Sequence, residues 1–270
     1  MEKIRIMVAG LPGKMATLIA EAVASQEDMS LYHCALAEES GSMNIGPSTS
    51  VSLIPLWKHA EVLKSAEIDV VVDATLPKSV NYNAQMFCAM EKPFVMLTSG
   101  GDRQLLKNTI EKSKISAAII ENASPQISVF QDMIRSAAVK APDSFKGFKL
   151  VIRESHQAGK KGPSGTALSL LPSFAALGMP LAEDDVIKNM VRDPVVQEVE
   201  MGIPQQHLGG HGYHTYTMLS PDGTVFLQFT TNILGRKPYI DIMPRVIRFV
   251  ARHGREEGKV ISMMDVLQEA

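Results

Sequence analysis

The chain is expected to be an α/β protein, with an N-terminal doubly wound, Rossmann-like domain and a second α+β domain on a mixed or antiparallel sheet. Three observations predict this. Through the first half, short apolar runs alternate with helical patterns of about ten residues, the mark of βαβ units and a parallel sheet. A glycine-rich turn, Gly10-Leu11-Pro12-Gly13, follows the first of those runs. In the second half, two β-rich stretches flank Ser220-Pro221-Asp222-Gly223. There Pro presets φ and Gly accepts φ > 0, so a tight turn joins antiparallel strands.

Taken in order, residues 4–9 form a first strand that stops at Gly10, and a helical pattern follows over 14–25 (Met15, Leu18, Ile19, Ala22, Val23). A second strand is predicted over 31–37 and a short helix over 57–65. Ile68-Asp69-Val70-Val71-Val72-Asp73 has the β-branched composition of a strand buried on both faces. Helix 80–90, strand 93–97, helix 103–113 and strand 117–120 complete the alternation, and right-handed crossovers make the sheet doubly wound. Further on, the pattern predicts a helix over 127–140, strands over 148–154, 212–219 and 225–231, and a helical tail over 244–270.

Composition narrows the function. The 270 residues are 45% hydrophobic and 21% charged, which excludes a disordered tail, a collagen-like fibre and a small disulfide scaffold. Twenty-seven basic against 29 acidic residues leave no general footprint for nucleic acid, so a small-molecule ligand is expected. Cys34 and Cys88 read as reduced core residues, the 16 methionines as core filler, and Trp57 as helix packing. No basic segment leads into a long apolar stretch at the start, and no window reaches about 18 apolar residues. The expectation is a soluble protein without a membrane partner, in the cytoplasm or, after removal of a transit peptide, in the plastid.

The glycine turn sits where a dinucleotide-binding turn belongs. Gly10 lets the chain turn tightly, Gly13 lets the backbone approach a pyrophosphate, and a helix from Lys14 offers free N–H groups and its positive end. The pattern is G-x-x-G-x-x-A, with Ala16 small enough for close helix–strand packing. Glu38 and Glu39 follow the second strand, where an acid accepts hydrogen bonds from a ribose and favours NADH. The plainer reading is a solvated acidic pair. No Arg or Lys is expected beside them to receive a 2′-phosphate, Lys14 excepted, so NADH and NADPH both stay open.

The densest chemistry lies over residues 154–167. A strand is predicted to end at Glu154, a polar loop carries His156, Lys160 and Lys161, and Ser164-Gly165-Thr166 starts a helix near Thr166. The N–H groups of Gly165 and Thr166, with the hydroxyls of Ser164 and Thr166, make a site the size of a carboxylate. An ordinary helix cap is the alternative. His156 and Lys160 add proton donors beside it, which suits reduction of a conjugated imine bearing carboxylates. His207, His211 and His214 would share one face of a helix, but Gly209, Gly210 and Gly212 argue against a helix there. No carboxylate completes that set, so no metal is expected.

These segments resemble the 4-hydroxy-tetrahydrodipicolinate (dihydrodipicolinate) reductase family of the diaminopimelate–lysine pathway, over nearly the whole chain. The resemblance rests on Val8-Ala9-Gly10 with Gly13-Lys14-Met15, Asp73-Ala74-Thr75-Leu76-Pro77, Thr98-Ser99-Gly100-Gly101-Asp102, the 154–167 segment and residues 232–236. Glu154-Ser155-His156-Gln157, Ser124-Pro125-Gln126 and Gly210-His211-Gly212 resemble the plant-type branch. It implies NADH- or NADPH-dependent reduction of a small cyclic dicarboxylate, with His156 as proton donor and acceptor and Lys160 as a second donor. Gln157 stands where many members carry a histidine that contacts substrate, and Ser164, Gly165 and Thr166 match the grip on a substrate carboxylate. Gly10, Leu11, Pro12, Gly13, Lys14 and Met15 match the pyrophosphate loop, Glu38 the ribose acid, and Thr75, Leu97, Thr98 and Ser99 the loops near the nicotinamide ribose. Ala123, Ser124, Pro125 and Gln126 match the segment that closes over the nicotinamide.

The resemblance further implies a dinucleotide-binding domain over 1–125 to which a tail over 237–270 returns. A substrate-binding and oligomerisation domain over 126–236 would assemble a homo-oligomer, a dimer or tetramer. This chain departs from the common pattern in being one residue shorter before Pro163, in Gly162 for Asp or Ala, and in Leu97 for Gly. Two other readings stay open: a reductase of the same fold for a different cyclic imine acid, and a non-catalytic dinucleotide sensor.

Overall fold

A computed structural model describes residues 2–47, 49–120, 122–160 and 162–269, so Lys161 of the polar loop lies outside the described residues. The chain forms two compact units, Met1–Pro125 with Tyr239–Ala270, and Gln126–Pro238. The strands are β1 (Ile4–Ala9), β2 (Met29–Leu31), β3 (Cys34–Leu36), β4 (Gly41–Ile45), β5 (Thr49–Ile54), β6 (Val70–Asp73), β7 (Phe94–Met96) and β8 (Ala117–Ile119). They continue with β9 (Lys149–His156), β10 (Met190–Val191), β11 (His211–Leu219), β12 (Phe226–Leu234) and β13 (Val260–Ile261).

In the first unit the sheet order is β13-β8-β7-β6-β1-β3-β5-β4, with β2 beside β1. All pairings are parallel except β4 with β5. Helices cover both faces, which is why the central strands are apolar apart from Arg5 of β1 and Asp73 of β6. Along β1, Ile6 and Val8 enter one cluster with Ile19, Val23, Val246 and Val250 of the helices Lys14–Ala24 and Met243–His253. Met7 and Ala9 enter the other, with Phe87, Leu106 and Ile110 of the helices Val80–Ala89 and Arg103–Glu111.

Several predicted elements change. The strand expected over 31–37 is broken into β2 and β3, which pair with the beginning and the end of β1. The hairpin β4–β5 is unforeseen; its apolar residues Met43, Ile45, Val51 and Leu53 alternate with exposed polar ones, and they pack on the first cluster. The tail is not wholly helical, since Val260–Ile261 pairs parallel to β8. Trp57 is not helix packing: it is 78% exposed in a single 3₁₀ turn, with the Lys58 ammonium 4.7 Å from its ring.

The second unit carries a four-stranded sheet in the order β10-β9-β11-β12. Leu150, Ile152, Tyr216 and Met218 face the helix Pro125–Lys140 and Phe174 in one core. The β11–β12 turn is built as expected: Gly223 has φ 73°, and Asp222 Oδ1 accepts from Ser220 Oγ and from Thr224. Strand β9 runs two residues beyond the predicted end, so His156 is the last residue of a strand and not part of a loop. Among the described residues no helix is long and apolar enough to cross a membrane.

Candidate functional site

The first unit presents a cavity of about 420 Å³ at the C-terminal ends of β1, β3 and β6, a volume ordinary for ligand sites. Sheet order diverges at β1, with β6 on one side and β3 on the other; this is the crevice where open α/β sheets bind ligands. Gly10, Leu11, Pro12, Gly13, Glu38 and Thr75 line it, together with His59, Asn83, Leu53 and Leu56, which sequence reasoning did not single out. Lys14, Met15, Leu97, Thr98, Ser99, Ala123, Ser124, Pro125 and Gln126 do not line it.

The glycines are needed by the chain itself. Gly10 has φ 108°, and a Cβ there would lie 2.6 Å from the Ala74 carbonyl oxygen. A Cβ on Gly13 would lie 2.7 Å from the Gly10 carbonyl oxygen, to which the Gly13 N–H donates at 2.8 Å. Gly13 caps the helix Lys14–Ala24 without a side-chain cap bond, and the helix has no acid in its first turn. Its first N–H groups fit a phosphate. Leu11 is buried in the core and Met15 packs on it, so both support the turn through their side chains.

Behind the turn, Asp73 is fully buried and gathers four donors. Thr75 N–H at 3.0 Å, Thr75 Oγ1 at 2.7 Å and Thr98 Oγ1 at 3.4 Å reach Oδ1, and Asn83 Nδ2 reaches Oδ2 at 2.7 Å. Burial pushes this carboxyl above its ordinary range while those hydrogen bonds pull it back. Thr98 also donates to the Thr75 carbonyl at 3.0 Å, so its hydroxyl ties two loops together, whereas Ser99 is exposed. His59 Nε2 lies 3.0 Å from the Ala37 carbonyl and 2.9 Å from the Ile54 carbonyl, which fixes its hydrogen on that nitrogen. Burial holds the His59 ring below its usual range. One expectation fails at the rim: Glu38 does have a basic neighbour, Lys78, with Nζ 3.5 Å from Oε1.

In the second unit the register of β9 against β11 assembles a cluster that the sequence did not show. Glu154 and His156 share a face of β9, and His214 lies directly opposite Glu154. Glu154 Oε2 is 3.2 Å from His214 Nε2 and 3.5 Å from His156 Nε2. Burial alone would raise the Glu154 carboxyl, but the His156 ring beside it and the contacts from His214 and Ser164 hold it well below the usual carboxylate range. The His214 ring is held below its usual range, chiefly by burial. These are also metal-type donors, lying within 4.8 Å of one another; Ser164 already satisfies the carboxylate. His211, three positions before His214, points to the opposite face and meets Ser155 Oγ at 2.8 Å, so the histidine triplet does not converge.

Ser164, expected as a substrate contact, is buried. Its N–H and hydroxyl donate to Glu154 at 3.0 and 2.8 Å, and its Oγ accepts the Ala167 N–H at 3.0 Å. It is a buried cap. Gly165 is exposed, a Cβ there would meet nothing within 4 Å, and the helix it starts is only Gly165–Leu168. Thr166 is half-buried and Gln157 exposed. Lys160 follows a tight turn in which its N–H donates to the Gln157 carbonyl at 3.0 Å. Its ammonium makes no ion pair among the described residues and lies close enough to His214 to disfavour a second charge there.

The chain resembles known proteins over nearly its whole length. Residues 4–123 match the family described as dihydrodipicolinate reductase, N-terminus. A probable 4-hydroxy-tetrahydrodipicolinate reductase 1, chloroplastic, of Oryza sativa subsp. japonica is 34% identical, over 98% of this chain and 78% of the relative. The 4-hydroxy-tetrahydrodipicolinate reductase 1, chloroplastic, of Arabidopsis thaliana is 32% identical over the same shares. Among solved structures, a dipicolinate-bound dihydrodipicolinate reductase from Paenisporosarcina sp. TG-14 superposes with TM-score 0.65 at 16% identity, covering 97% of this chain and 98% of that one. That likeness supports the fold.

Proposed function

Because this chain belongs to the 4-hydroxy-tetrahydrodipicolinate reductase family, we propose that it reduces 4-hydroxy-tetrahydrodipicolinate to tetrahydrodipicolinate with NADH or NADPH. The balance is one hydride and one proton in, one water out. Nicotinamide supplies the hydride when bound. The observation that carries the reading is His156, placed at the end of β9 beside a buried carboxylate and followed four residues later by Lys160.

In this reading Gly10, Gly13 and the first N–H groups from Lys14 hold the pyrophosphate, and Glu38 meets the ribose. Thr75, Leu97, Thr98, Ser99 and the 123–126 segment shape the nicotinamide side, with Asp73 fixing Thr75 and Thr98. The N–H of Gly165 and the Thr166 hydroxyl take one substrate carboxylate, and Lys160 balances the charge that develops as hydride adds. His156 delivers the proton. The second unit's sheet is the proposed homo-oligomer surface, supported by Val225 and Phe226, which are 43% and 60% exposed. The chloroplastic names of the rice and Arabidopsis relatives support the plastid as its compartment. The test is a spectrophotometric assay with freshly generated dehydratase product, NADH and NADPH in parallel. Oxidation of neither cofactor sinks the reading.

A further inference from the structure

Resting on that reading, we propose that Glu154 is a positioning residue for the proton donor: its buried carboxylate keeps the His156 ring doubly protonated and tethers it to the turn that grips substrate. The argument starts from what each ring nitrogen faces. His156 Nδ1 lies 3.3 Å from the His211 carbonyl oxygen, which can only accept. That nitrogen therefore carries a hydrogen. Nε2 is buried, has no hydrogen-bond partner among the described residues, and lies 3.5 Å from Glu154 Oε2, a second acceptor. A neutral ring would turn a bare lone pair toward a carboxylate; the doubly protonated ring suits both neighbours.

The carboxylate is itself held. Oε1 accepts the Ser164 N–H at 3.0 Å, and Oε2 accepts the Ser164 hydroxyl at 2.8 Å and faces His214 Nε2 at 3.2 Å. Since the Ser164 hydroxyl donates to Glu154, its 2.7 Å contact with His214 Nε2 is one in which His214 donates. A neutral His214 with its hydrogen on Nε2 fits this. The titratable groups around His156 are His214 and His211 on β11, Lys160 in the following turn and Glu154; Gln197 bonds its carbonyl from the helix Pro194–Val199. Of these, Glu154 alone is anionic. At 3.5 Å the contact is a charge attraction and not a short hydrogen bond. Ser164 carries the same carboxylate's hold into the cap of Gly165–Leu168, so donor and carboxylate grip share one anchor.

Glu154→Gln keeps the shape and removes the charge. The expected result is a fall in kcat of about tenfold or more toward alkaline pH, with the alkaline limb of the kcat profile moved down by about one unit. Substrate KM should change by less than about threefold. A uniform fall with the limb unmoved would mark a structural role only and overturn the proposal. Ring ¹⁵N spectra of the unmutated protein at the assay pH give a check that needs no variant: two N–H groups on His156 are expected, and a single one overturns the proposal even if Glu154→Gln does not fold. An unmutated protein that reduces no substrate refutes the reductase reading, and the ring spectra still decide the state of His156.

Discussion

Glu154 on β9 and His214 on β11 sit directly across from one another with Oε2 and Nε2 3.2 Å apart, both buried, although 60 positions separate them in the chain. The pairing has a pH signature. The folded state holds Glu154 ionised below its ordinary range and holds His214 neutral below its own. Both groups bind fewer protons folded than unfolded, so both stabilise the fold at higher pH. The His214 contribution is complete above about pH 6.5 and the Glu154 contribution above about pH 4.3, the unfolded values, and each is lost as pH falls toward its folded one. Thermal melts from neutral to acid pH should show a steadily falling Tm. In Glu154→Gln the part of that fall below about pH 4.3 should be smaller; an identical acid slope would refute the assignment.

The kinetic roles separate by parameter. His156→Ala and Lys160→Ala should each lower kcat by about 10²–10⁴-fold, the range for positioned acid catalysis. Thr166→Val should act mainly on KM, because a carboxylate contact is made equally in ground and transition states. Steady-state kinetics on 4-hydroxy-tetrahydrodipicolinate decide both, and near-normal kcat in Lys160→Ala would favour a different imine acid as substrate.

Lys78 should tune the choice of cofactor. Its ammonium at the cavity rim, 3.5 Å from Glu38, gives a 2′-phosphate a cation that Glu38 alone would repel. Both side chains are well exposed, so the effect is modest. Lys78→Ala should weaken NADPH by about fivefold, near 1 kcal/mol, and leave NADH within about twofold. Affinities measured by cofactor fluorescence test this, and an equal loss for both cofactors would place Lys78 outside the ribose site.

Asp73 offers a stability test of the first unit. Replacing it by Asn turns an amide toward donors that now meet a carboxylate, and should cost about 1–3 kcal/mol in urea unfolding. Cofactor affinity should fall with it, since Thr75 and Thr98 lose their common acceptor.

What was legible in the sequence follows from range. The apolar runs of β1 and β6 and the glycine turn declare themselves locally, because strands buried on both faces carry few polar positions to confuse the pattern, here Arg5 and Asp73. The β4–β5 hairpin did not, since Ser42, Asn44, Ser50 and Ser52 dilute the alternation of Met43, Ile45, Val51 and Leu53. His156 and Lys160 announced themselves as a motif. Glu154 and His214 could not, because strand register alone brings them together; the polar run over 153–156, following the apolar 150–152, was the available signal. Lys78 met Glu38 only through the loop after β6.

The pairing of Val260–Ile261 with β8 has a consequence for how the chain is made. The first unit's sheet lacks an edge strand until residue 261 has been synthesised, some 140 residues after β8. At about 5–20 residues per second, translation leaves that edge open for on the order of ten seconds, while all of Gln126–Pro238 emerges. A nascent chain therefore completes its inserted unit before the unit whose two segments flank it in sequence, and carries an unpaired, apolar strand edge throughout. Chaperone capture during synthesis should centre on that interval, and ribosome-bound chains stalled before residue 260 should stay protease-sensitive at β8 while the inserted unit already resists cleavage.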